Sequence, residues 1–286
     1  MLTLFRLLGG LPLRILHAVG AAIGWLTYVS SAPYRQRFED NARQAGVPRA
    51  VARHGVAAAG RMVAELPYLW LRPAQDRLGP QLHWQGSQLL RDALSSGRGV
   101  VLLTPHLGSF EVTAQAIAQD YAAEFGPITV LYRPARKEVL RRWMDRSRAR
   151  AGVETAPATL AGVRQMMRAL RGGRAVGLLP DQVPPLGMGV WAPFFGKPAY
   201  TMTLAARLVQ TGAVPLLIWG ERLSRGQGYT VRVRALDGAQ DLAHASQAES
   251  AAAINRAMER LILECPQQYL WGYNRYKSPR SADPAD

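Results

Sequence analysis

His106 and Glu111 stand five positions apart in TPHLGSFE, residues 104–111, at the end of an apolar run. A carboxylate bonded to one imidazole nitrogen fixes the tautomer of the ring. It also raises the basicity of the other nitrogen, which can then take a proton from a hydroxyl. Spacing alone does not establish this chemistry, because His244 and Glu249 repeat it. In a regular helix, positions five apart point about 140° away from each other. His244 and Glu249 lie in or at the start of a predicted helix, so they are not expected to touch. His106 follows a predicted strand, Pro105 discourages helix up to that point, and Gly108 permits a turn. Glu111 then falls in the first turn of the next helix. Such a corner folds the carboxylate back onto the ring and puts His106 at the carboxyl end of a strand, where open α/β sheets bind ligands. A loop histidine with no chemical role remains the alternative.

Other chemistries leave no trace. There is no G-x-S-x-G elbow, which makes Ser109 a poor nucleophile. Cys265, at a predicted helix end, packs rather than reacts. GMGVWA (187–192) fits a loose dinucleotide fingerprint, but Pro193 follows where its helix should begin. No P-loop and no His/Cys metal spacing is legible, so neither a metal nor a cofactor is expected.

The elements that must position His106 alternate between strand and helix. Strands are predicted at 99–105, 128–134, 174–180, 213–222 and, alternating like an edge strand, 229–236. Helices are predicted at 48–71, 110–125, 137–152, 160–173, 201–212 and 248–266. This order predicts an α/β fold with a central, largely parallel sheet flanked by helices. Asp181 and Gln182 follow a strand ending GLLP, again at a ligand-binding edge.

Across 286 residues the formal net charge is +15, and only Lys137, Lys197 and Lys277 among the basic residues are lysines. That balance points to acidic partners such as phosphate groups, anionic lipid, nucleic acid or an acidic protein. No helix-turn-helix or aromatic-basic RNA motif supports nucleic acid, so none is expected as a partner. A basic membrane- or nucleic-acid-binding protein remains the non-enzymatic alternative. Cys265 is the single cysteine, which excludes an intramolecular disulfide and fits a reducing compartment. Residues 15–33 carry no Lys, Arg, Asp or Glu, and Arg6, Arg14, Arg35 and Arg37 flank them. The stretch is read as an uncleaved membrane anchor, spanning or interfacial, with a buried core helix as the alternative. Residues 1–33 are thus expected to anchor a single domain at 34–286, held on the cytoplasmic side by the flanking Arg residues.

The chain resembles the late acyltransferases of lipid A biosynthesis, the lauroyl/myristoyl family. The resemblance is carried by TPHLGSFE, by LYRPARKEVL with RARAG, by LLPDQVPPLGMGVWAPFFGKPAYT, by TGAVPL and by PQQYLWGYNRYK. The His-x4-Asp/Glu box is shared with glycerolipid acyltransferases, whose acceptor motif is replaced here by LLPDQ. The resemblance implies transfer of a fatty acyl chain from acyl carrier protein to a hydroxyl of a lipid A precursor at the inner membrane, giving an acyloxyacyl ester. Other membrane glycolipids, lysophospholipids and amino-acid lipids remain alternative acceptors. His106 would be the base and Glu111 its orienter. Backbone N–H groups at 108–111, or Arg133, would hold the oxyanion.

Further roles attach to the remaining motifs. Arg133 near a strand end suits a phosphate or carboxylate. Arg141, Arg142 and Arg146 lie in a segment, 133–150, with eight basic and two acidic residues. They are the expected dock for the acidic carrier protein, and Arg164, Arg168 and Arg171 are the second choice. Asp181 and Gln182 are expected in the acceptor site. Arg275 and Lys277 are expected on a phosphate or sugar acid of the lipid head. Trp191, Phe194 and Phe195 are expected along the acyl path.

Overall fold

The computed structural model describes residues 9–72, 76–78, 81–132 and 150–281. Arg133, Arg141, Arg142, Arg146 and most of the predicted 137–152 helix lie outside these residues.

The centre is a seven-stranded sheet. In chain order its strands are β1 (Leu82–Gln85), β2 (Val100–Leu103), β3 (Ile128–Tyr132), β4 (Val153–Pro157), β5 (Ala175–Leu178), β8 (Val214–Arg222) and β9 (Tyr229–Ala235). Across the sheet they run β1-β9-β8-β2-β5-β3-β4. Five are mutually parallel, from β8 to β4, whereas β9 pairs antiparallel with β8 and carries β1 parallel to itself. The expected α/β class, with a largely parallel sheet flanked by helices, is what the chain adopts. All four residues of β2 are buried, as a strand covered on both faces must be. On one face Val100, Leu102 and Ile218 pack with Val112, Ala116 and Ile117 of α6 (Phe110–Phe125). On the other, Val101, Leu103 and Leu217 join Met166 of α7 (Leu160–Arg171), Leu208 of α8 (Leu204–Val209) and Met258 of α9 (Gln247–Glu264).

Several expectations shift for local reasons. The predicted 48–71 helix divides into α3 (Arg49–Ala64) and α4 (Leu66–Leu71), with Pro67 in the first turn of the second. The 229–236 strand is not an edge, because β1 covers its outer side. Residues 201–202 end a strand instead of starting a helix: β6 (Gly189–Phe194) and β7 (Lys197–Met202) form a separate hairpin. Pro193 opposite Pro198 hides this hairpin from pattern reading, since proline cannot donate to a ladder. Trp191 stays exposed on it, Phe194 packs in the core, and Phe195 turns the corner at φ 46°. None of these three aromatics, expected along an acyl path, lines the large apolar cavity of the described residues.

The N-terminal apolar stretch forms α1 (Leu13–Ser30), followed by α2 (Ala32–Gln44) and α5 (Ser87–Ser95) further along. By length and composition α1 is apolar enough to cross a membrane, yet it packs into the body. A Cβ on Gly60 of α3 would lie 1.9 Å from Gly20 O, and one on Gly24 would lie 2.3 Å from Val56 O. The two helices therefore cross in backbone contact. Leu13, Leu16, His17 and Tyr28 are buried on this side, while Ile15, Val19, Ile23, Leu26 and Val29 form an exposed apolar stripe on the other.

Candidate active site

The corner between β2 and α6 holds His106. Gly108 sits at φ +59°, and a Cβ there would come within 2.0 Å of Gly220 O, so only glycine fits between the corner and β8. The N–H of Gly108 donates to Gln268 O at 3.1 Å and that of Ser109 to Gly220 O at 2.7 Å. These two of the expected oxyanion donors are therefore already committed. Phe110 and Glu111 head α6, the end at which the helix dipole favours negative charge. His106 is fixed through its backbone: its carbonyl accepts from Leu270 N at 3.2 Å, and its N–H donates to Asp181 Oδ2 at 2.9 Å.

The imidazole Nδ1 is 2.8 Å from Asp181 Oδ1. Tyr269 donates its hydroxyl to Asp181 Oδ2 at 3.2 Å. A buried carboxylate on Nδ1 draws the ring proton to that nitrogen and leaves Nε2 as the free base. Burial works to raise the Asp181 carboxyl, but the nearby His106 ring and its two hydrogen bonds outweigh it and hold the group below its ordinary value. Phe110 packs edge-on against the imidazole at 5.0 Å between ring centres.

The orienting contact expected of Glu111 is thus made by Asp181. Glu111 faces α4 instead, where Trp70 Nε1 donates to its Oε2 at 3.2 Å, and Phe110 takes the place against the ring. Glu111 nonetheless remains at the site, since it lines the same cavity as Trp70, His106 and Gln182. Arg275 is placed differently from its expected role on a lipid head. It is 2 % exposed, and its guanidinium donates to Tyr200 O and Thr201 Oγ1, both at 2.7 Å. It pins the C-terminal segment to β7. Lys277 stays half-buried with its ammonium 5.0 Å from the Tyr273 ring, and the Tyr273 hydroxyl accepts from Val183 N beside Gln182.

The cavity measures about 590 Å³ and is lined mainly by apolar side chains. It reaches beneath α6 along the sheet, past Leu102, Val130 and Gly177 to Ile117 and Ile128. On the other side of the strand ends it reaches Leu160, Val163, Met188 and Leu204. Arg207 of α8 is exposed on its wall. Sequence reasoning did not single out Phe110, Trp70, Arg207 or Tyr269, although Tyr269 stands in PQQYLWGYNRYK. Cys265 is buried at the C-terminal cap of α9, and burial pushes its thiol up to about 12, which leaves it no nucleophile. Ser109 is also buried and does not line the cavity. Among the described residues no cluster of His, Cys, Asp and Glu could hold a metal.

Behind the corner lies a second buried charge pair. Glu65, between α3 and α4, accepts from Arg222 Nε at 2.8 Å, from the Tyr229 hydroxyl at 3.2 Å, and stands 3.1 Å from His17 Nε2 of α1. Arg222 also donates to Gly108 O at 2.9 Å. The apolar N-terminal helix is thereby wired to the loop that carries His106.

A histidine–carboxylate dyad at the mouth of a long apolar cavity is the arrangement an acyl transfer to a hydroxyl needs. A sequence model of the bacterial lipid A biosynthesis acyltransferases matches residues 1–278. The chain belongs to this family. It is 24% identical over 282 residues to the lipid A biosynthesis palmitoleoyltransferase of Escherichia coli K12, covering 94% of this chain and 87% of that one. Against the lauroyltransferase of the same organism it is 25% identical over 198 residues, 68% of this chain and 61% of that one. A phosphatidylinositol mannoside acyltransferase of Mycolicibacterium smegmatis is 31% identical over 198 residues, 66% and 61% of the two chains. As a member of the lipid A biosynthesis acyltransferases the protein is an acyl-transferring enzyme.

Proposed function

We propose that the enzyme transfers a fatty acyl chain from acyl carrier protein to the 3-hydroxyl of an acyl chain on a lipid A precursor, forming an acyloxyacyl ester. The observation that carries this reading is the His106–Asp181 pair opening onto an apolar cavity. Nε2 of His106 takes the acceptor's hydroxyl proton as its oxygen attacks the thioester carbonyl. The C–O bond forms, and N–H groups at the head of α6 face the oxyanion. The C–S bond then breaks, and the proton on His106 passes to the departing sulfur. Asp181 holds the ring and stabilises the imidazolium, and Glu111 adds a second negative charge on the cavity wall. No acyl-enzyme is needed in this scheme.

Gln182 and Arg207, which line the cavity, would meet a phosphorylated sugar head, with Arg133 and Lys277 as further contacts. Arg141, Arg142 and Arg146 dock the acidic carrier protein. The exposed stripe of α1 rests in inner-membrane lipid on the cytoplasmic face, with the chemistry in the single α/β domain, 34–286, against which α1 is packed. The mycobacterial relative supports a second reading, in which the acceptor is another membrane glycolipid. Incubating the purified enzyme with acyl carrier protein thioesters and either acceptor, then weighing the lipid products, separates the two. A mass gain on the mannoside lipid and none on the lipid A precursor would overturn the first reading.

A further inference from the structure

Beneath α6 the cavity reaches the middle of the sheet. In β5 the residues Ala175, Val176 and Leu178 are buried, but Gly177 is not. It lies in the middle of the sheet, in register with Leu102 of β2 and Val130 of β3. A residue at the centre of a seven-stranded sheet is reached by solvent because the space a side chain would fill is part of the cavity. Glycine inside a strand weakens it and often marks the close approach of a ligand. Here the backbone imposes no requirement for it: a Cβ on Gly177 would meet Val130 Cγ1 at 3.5 Å and Ile128 Cδ1 at 3.7 Å, both ordinary contacts. The sheet tolerates a side chain there, and the cavity would lose volume to it.

Gly177 also sits near the end of the cavity. Leu102, Ile117, Ile128 and Val130 line the same stretch, whereas Ala175, the next residue on that face of β5, does not. Leu102 and His106 are four positions apart, a span of no more than about 14 Å. An aliphatic chain whose carbonyl stands at His106 and whose tail runs beneath α6 therefore meets its limit around this row.

We propose that Gly177 sets the length of acyl chain the enzyme accepts, the missing side chain being the room for the last carbons. This rests on the acyl-transfer reading above and adds to it a determinant of donor specificity. Any side chain at 177 projects from the sheet toward α6 and shortens the usable cavity, and trimming Val130 beside it lengthens the cavity. One methylene too many in an apolar pocket is worth roughly tenfold or more in kcat/KM.

The test is a series of saturated acyl carrier protein thioesters from decanoyl to palmitoyl, assayed with Gly177→Ala, Gly177→Leu and Val130→Ala. The expected result is a preference that moves to shorter chains in both Gly177 variants, with a fall of about tenfold or more for the longest chain the unmodified enzyme uses and little change for decanoyl. Val130→Ala should move the preference the other way. Displacement of a fluorescent polyene fatty acid by free decanoate and palmitate should follow the same order without turnover. Equal loss across all chain lengths in folded Gly177→Ala, or an unchanged preference in all three variants, overturns the proposal. If the unmodified enzyme transfers no acyl group while fatty-acid displacement still shifts with residue 177, the reaction assigned above falls and the length determinant stands.

Discussion

Asp181 Oδ1 lies 2.8 Å from His106 Nδ1, although the two residues are 75 positions apart. They meet because β2 and β5 are parallel neighbours whose carboxyl ends face the same edge of the sheet. The dyad is assembled by sheet topology and not by the short spacing of His106 and Glu111.

Replacing His106 with Ala should lower acyl transfer by roughly 10²-fold or more, the usual contribution of a general base. Asp181→Asn should leave the fold intact, as judged by circular dichroism, and cost a comparable factor, because an amide can present either a donor or an acceptor to Nδ1. Glu111→Gln should cost less than either, since its carboxylate bonds Trp70 and not the ring. Full turnover in folded Asp181→Asn would remove the residue from the mechanism.

The Glu65–Arg222 pair should govern stability in acid. Burial works against the Glu65 carboxylate, but Arg222 overcomes it and lowers the group from 4.5 to about 2. A depressed carboxyl stabilises the fold fully above its unfolded value, and this contribution is lost as pH falls from about 4.5 toward 2. Urea unfolding midpoints should drop over that window and lose this acid sensitivity in Glu65→Gln. Glu65→Ala, which strands Arg222, should cost about 3–5 kcal/mol at neutral pH.

Because α1 packs on α3, deleting residues 1–33 should destabilise the domain as well as weaken its membrane attachment. The deletion removes the buried Leu13, Leu16 and Tyr28 and the His17 contact to Glu65. Gly60→Val, whose Cβ would press on Gly20 O, should lower the melting temperature and cost about 1–3 kcal/mol or more. Leu26→Glu lies on the exposed stripe and should instead release the protein from vesicles at high salt while leaving melting unchanged.

Charge reversal of Arg141, Arg142 and Arg146 to Glu should raise KM for acyl carrier protein thioesters, and added salt should mimic it, since salt screens electrostatic steering. An unchanged KM would move the docking surface to Arg164, Arg168 and Arg171, which form an exposed row along α7.

Much of the architecture was legible because it rests on local pattern. The apolar runs at 100–103, 128–132 and 175–178, separated by helical periodicity, specify a parallel sheet. Gly108 and Pro105 specify the corner, so the place of His106 at a strand end follows from nearest neighbours in the chain. Asp181 was legible as a strand-end residue for the same reason. What each of these side chains touches was not, because contacts between distant segments depend on strand order, and order is set by how helices cover the two faces of the sheet. Only the tertiary structure decided that Asp181 and not Glu111 holds the imidazole, and that Arg275, basic and near the chain end, is spent on β7. Only it turned an apolar N-terminal stretch into a helix with one face wedged by Gly20 and Gly24 against α3 and the other left bare. Composition reports that such a stretch must avoid water; packing decides how much of it the protein itself covers.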